Sequence, residues 1–138
     1  MINSQYILDI FDLAFDNHSA SVQLQQQISF LSIAKELHTG TGIFIYFQAD
    51  TKIQQFKINT LGNANYDIAG NHTQMINGIE IKNRDLLILA DAIIHLKNDI
   101  IDHLEIWNKC GEDYVKTQPD HYELQQVWLE NSGRKIIR

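Results

Sequence analysis

The chain has 138 residues, is 44% hydrophobic and carries a formal net charge of −6. That is enough for one domain, 1–138, with a core of its own, and the negative balance excludes a surface made to hold duplex nucleic acid. The single cysteine, Cys110, excludes an internal disulfide, and no apolar run approaches the roughly 20 residues that span a bilayer.

Met1 to Gln5 has no basic region, and Asp9, Asp12 and Asp16 interrupt the apolar residues that follow. A chain without a secretory leader, working in the cytoplasm, is therefore expected. Tyr6 to Asp16 places Ile7, Ile10, Phe11, Ala14 and Phe15 at helical spacing, with Ser4 as the cap. Ala20 to His38 repeats the period through Leu24, Ile28, Leu31, Ala34 and Leu37 and stops at Gly40. Its first half also alternates like a strand, but the good helix formers Ala34 to Leu37 favour a helix. Gly42 to Gln48 contains Ile43, Phe44, Ile45, Tyr46 and Phe47 in unbroken succession, the composition of a central strand. After a turn at Ala49 to Lys52, Gln54 to Thr60 alternates as an antiparallel partner.

Leu61 to Asn77 is rich in Gly and Asn and reads as a loop. Ile79 to Ile81 reads as a short strand. Asp85 to Lys97 then offers Leu86, Leu89, Ala90, Ile93 and Leu96 as a helical face. Ile100 to Trp107 alternates, as does Tyr122 to Leu129, with a turn at Cys110 to Asp113 between them. A final turn at Asn131 to Gly133 leads to a possible edge strand at Lys135 to Arg138. The sum is an α+β domain. An antiparallel or mixed sheet of four to six strands is expected, with about three helices packed mainly on one face.

Chemical motifs are few. None of the six histidines forms an HxH or HExxH pair. A metal held by His103, His121 and Glu105 would require the strands carrying Asp102–His103 and Asp120–His121 to be neighbours. Glu105 and Glu123 could act as acid and base only if one were desolvated. No phosphate loop, dinucleotide fingerprint or nucleophile elbow is present. Neither a catalytic residue, nor a metal ligand, nor a cofactor is assigned.

The strongest signal is charge beside aromatic rings. Residues 99–130 hold eight acids against two lysines, and both tryptophans. Trp and Tyr anchor interfaces, and acids at the rim speed the capture of a basic partner. The candidate partner-binding residues are Asp102, His103, Glu105, Trp107, Glu112, Asp113, Asp120, Tyr122, Glu123 and Trp128. In general character the chain resembles the small bacterial immunity proteins that neutralise toxins of polymorphic and contact-dependent inhibition systems. The acidic stretch Asp99 to Glu130 and the helix-then-sheet order carry the likeness, which rests on no motif. The resemblance implies tight binding to a basic, nuclease-type toxin domain and occlusion of its active site. The alternative is a small α+β enzyme, such as a hydrolase, using Glu105, His103 and His121 beside the 61–77 loop.

Overall fold

The structure is a computed structural model and describes residues 1–59, 65–110, 114, 118–127 and 133–138. Two α-helices lead the chain. Helix α1 (Gln5–Phe15) starts at Ser4, whose Oγ accepts the Ile7 amide at 3.3 Å, an ordinary N-cap bond. Its stripe of Ile7, Ile10, Phe11 and Phe15 is sealed in the core. Helix α2 (Ser21–Ile28) buries Leu24 and Gln27.

All other long elements are strands: β1 (Leu31–His38), β2 (Gly42–Ala49), β3 (Asn65–Tyr66), β4 (His72–Asn83), β5 (Ile88–Lys97), β6 (Ile100–Asn108), β7 (Glu123–Gln126) and β8 (Lys135–Ile137). They form one eight-stranded sheet in the order β1-β2-β6-β5-β4-β7-β8, with β3 on β4. Every pairing is antiparallel. A 3-10 helix (Thr51–Phe56), begun by Asp50, links β2 to the following segment. The fold class is α+β, with more strands than the sequence suggested.

One sheet face is the core face. Ile45, Leu104, Ile94 and Ile76 lie in one cross-strand row, and Ile43, Ile106, Ala92 and Ile79 in the next. Helix α1 packs on β4 and β7, and α2 on β6 and the 3-10 helix. Buried polar groups tie helices to sheet. Gln27 donates from Nε2 to the carbonyls of Phe56 (2.8 Å) and Asp99 (3.0 Å) and accepts the Ile101 amide at 2.9 Å. Gln126 Nε2 donates to the Leu13 carbonyl at 2.8 Å. Asp9, buried on α1, accepts Tyr122 Oη at 2.7 Å and the Arg138 guanidinium at 2.9 and 3.0 Å.

Four elements differ from the sequence reading. The helix over Ala20 to His38 ends at Ile28, and its second half is the edge strand β1. Pairing with the aromatic strand β2 outweighs the good helix propensity of Ala34 to Leu37, because tertiary context overrides propensity. Gln54 to Thr60 is no strand: the 3-10 helix covers it to Phe56, and Thr60 lies outside the described residues, as do residues 61–64. Most of the rest of the expected loop is β3 and the start of β4. The expected helix from Asp85 to Lys97 is the strand β5.

Candidate docking surface

The sheet face opposite the helices is open. Register places its side chains in rows. Lys35, Tyr46, His103, His95 and Met75 form one row across β1, β2, β6, β5 and β4. Leu37, Phe44, Glu105 and Ile93 form the next. Gly42, Trp107, Asp91, Glu80, Gln125 and Lys135 follow. Among the described residues no helix packs against these rows.

Rings organise the first row. Tyr46 stacks on His103 at 4.9 Å between centroids, and His103 stacks on His95 at 4.2 Å. Lys35 Nζ lies 4.9 Å from the centre of the Tyr46 ring, a cation–π contact. Trp107 stands in the third row and is 52% exposed, because its β2 neighbour is Gly42, which has no side chain to flank the indole.

The carboxylates of this face are paired with imidazoles and lysine ammonium groups of the same face. Glu105 Oε1 is 2.9 Å from His95 Nε2, and Asp102 Oδ2 is 2.7 Å from His103 Nδ1. Lys109 Nζ bridges Glu80 (3.0 Å) and Asp91 (2.9 Å), while Lys135 reaches Glu123 at 3.4 Å. The hydrogen bond from His103 holds the Asp102 carboxyl below its ordinary value. Burial pushes Glu80 up, but the hydrogen bonds and charges of Lys109 and Lys82 outweigh it and the net direction is down. Burial likewise works against the Lys109 charge, and the bonds to Asp91 and Glu80 reverse it, so its value is raised. Asp102 and Glu80 are thus favoured as carboxylates, all of these acids are oriented by their partners, and each keeps oxygen lone pairs that its partner does not use.

The candidate residues fall into three groups. Asp102, His103, Glu105 and Trp107 all lie on β6, and the register rows put His103, Glu105 and Trp107 on the open face. Glu123 lies on that face too, at β7, and Asp120 is exposed just before β7. Tyr122 is the exception: it is 5% exposed and turned into the core against Tyr6 and Asp9. Leu124 and Gln126 share that inward side, so the outward set is Glu123 and Gln125. Glu112, Asp113 and Trp128 lie outside the described residues.

Strands β6 and β7 are not neighbours, since β5 and β4 stand between them. His103 and His121 are therefore not brought together, and neither are Glu105 and Glu123. Among the described residues no three His, Cys, Asp or Glu side chains are placed to hold a metal. Of the described cavities, one opens on this face at the row of Leu89, Lys82 and Glu123, beside Arg84 and Cys110, and another lies between Ser4, Gln118 and Arg138. Sequence reading missed Phe44, Tyr46 and His95 as members of the face. Phe44 and Tyr46 belong to a run that looks buried on both sides, and His95 lay in the misread helix.

Neither protein-family models, nor curated proteins, nor solved structures match this chain. No helix of the described structure is long and apolar enough to cross a membrane.

Proposed function

We propose that the chain is a non-enzymatic binding protein of the cytoplasm, whose open sheet face docks a basic protein and occludes it, as an immunity protein occludes a nuclease-type toxin domain. One observation carries the reading: a large indole, Trp107, stands half-exposed on an uncovered sheet face, bordered by ordered carboxylates. Tryptophan left in water on a rigid platform is the side chain that contributes most when a partner covers it. The carboxylates of Glu80, Asp91, Asp102 and Glu105 are fixed before binding, so little ordering is lost when a partner's Arg or Lys adds to them. The net charge of −6 supplies long-range attraction for a cationic partner.

A photo-crosslinking residue at position 107, with a second at position 22 on the helical side, tests this in the cells that make the protein. A basic protein trapped one-to-one from position 107 and not from position 22 supports the proposal. Crosslinks from position 22 alone, or an acidic partner at position 107, would contradict it.

The second reading is a small hydrolase. The His95–Glu105 and His103–Asp102 pairs favour it, since a carboxylate that orients an imidazole prepares a general base. Turnover abolished by His103→Gln would establish that reading in place of the first.

A further inference from the structure

Two imidazoles are in direct contact at the centre of the open face. His95 and His103 oppose each other on β5 and β6. Their planes are 9° apart. The other side of the His103 ring meets Tyr46 of β2, over which Lys35 of β1 is placed. Met75 of β4 follows His95 in the row and brings no charge. The charged groups beside the pair include Asp102 and Glu105, each bonded to one imidazole nitrogen, and Lys97, two residues beyond His95 on β5, whose charge acts on Asp102.

An imidazolium stacked on a neutral imidazole is a favourable pair, a cation over a π face. Two imidazoliums at the same separation repel, although each retains its own carboxylate. Lys35 and Lys97 add to that repulsion, while Asp102 and Glu105 favour the arrival of a first proton. We propose that His95 and His103 form one coupled proton-binding site, which takes up a first proton and admits a second only in clearly more acid solution, and which thereby sets the charge of the docking face. The coupling follows from the stack alone. Its consequence for binding rests on the docking reading: each proton adds a positive charge at the centre of the face, so a basic partner is held less tightly as the medium acidifies.

Histidine ring signals followed by nuclear magnetic resonance through a pH titration of the full chain test the coupling. The signals of His95 and His103 are expected to move in two steps, separated by about one pH unit or more. In His95→Gln the His103 signal should collapse to a single step, and His103→Gln should do the same to His95. Both side chains lie on the face away from the core, and the backbone spectrum of each variant reports that the fold is kept. Single-step curves with the same midpoint in wild type and variants would overturn the proposal. Coupled titration without any basic partner captured at position 107 would remove the docking reading and leave the proton site standing.

Discussion

Asp9 shows how one side chain can fasten two ends of a chain. It sits on the first helix, nearly without solvent, and receives Tyr122, Arg138 and Gln5. Burial would push its carboxyl up, but these hydrogen bonds outweigh the burial and hold it below its ordinary value. Asp9→Ala leaves the Tyr122 hydroxyl without its acceptor, and a loss of about 1–3 kcal/mol is expected in denaturant unfolding. The pH dependence has a definite sign. A carboxyl lowered in the fold contributes stability above its unfolded value, near ~4, and loses it as pH falls through the folded value. Asp9, Glu80 and Asp102 all shift this way, so thermal stability should fall below about pH 4. The buried phenols set the opposite limit. Burial raises Tyr6, Tyr122 and Tyr114, the last to about 12. Their contribution is complete below the unfolded value, near ~10, and disappears as pH climbs toward the folded ones. Tyrosinate absorbance should therefore show these three rings ionising together with unfolding in alkali. None of this was legible in the sequence. Asp9 looks like the wet side of α1, and Tyr122 and Arg138 lie more than a hundred positions away.

At the scale of elements, α1, β2, β6 and the edge strand β8 were legible, because each has a pattern with one period and little competition. β5 was not. Leu86, Leu89, Ala90, Ile93 and Leu96 satisfy a helical stripe, yet Ile88, Ala90, Ala92, Ile94 and Leu96 alternate without a break and are the buried side. Aliphatic residues on both sides of a central strand erase the polar half of the alternation. The overlooked signal was the turn. Asn98 and Asp99 both adopt positive φ (50° and 69°), as a two-residue hairpin requires, and join Lys97 to Ile100. At the other end of β5, exposed Leu87 holds φ 53°, where a branched side chain is strained. Leu87→Gly should stabilise the fold by up to about 1 kcal/mol despite the freedom glycine gains when unfolded. Gln27→Leu tests the helix-to-sheet fastening. It removes partners from the Phe56 and Asp99 carbonyls and the Ile101 amide, at about 1–3 kcal/mol for each group left unsatisfied. Hydrogen exchange at Ile101 should accelerate before that of the inner strands.

Among the described residues the molecule is a half-covered sheet: helices on one side, a face of rings and paired charges on the other. Antiparallel sheets tolerate water on one side, and a wet face is ordinarily polar. Here Trp107, Phe44, Tyr46, Leu37 and Met75 are among the side chains on the wet side. The acidic stretch that stood out in the sequence is distributed differently from its linear appearance. Its described members on β6 and β7 are bonded to histidines and lysines, several from other strands, so the surface is a mosaic of fixed pairs. Only the register could reveal this, because it brings Lys109 to Glu80 and His95 to Glu105. Trp107→Ala removes an exposed ring from the face, so stability should change by no more than about 0.5 kcal/mol. Affinity for a partner docked there should fall by about 2 kcal/mol or more, read as a faster dissociation rate. Added salt should slow association.

The central claim is that a partner covers the open face. Oxidative footprinting of the unsubstituted chain in complex with the partner that the position-107 crosslink identifies, against the free protein, reads this directly from side chains. Trp107 and Met75 on the open face, and Met1 and Val22 on the helical side, are all exposed in the free chain. Oxidation of Trp107 and Met75 should drop several-fold on binding while Met1 and Val22 stay unchanged. Protection of Met1 and Val22 with Trp107 and Met75 still oxidised would contradict the account.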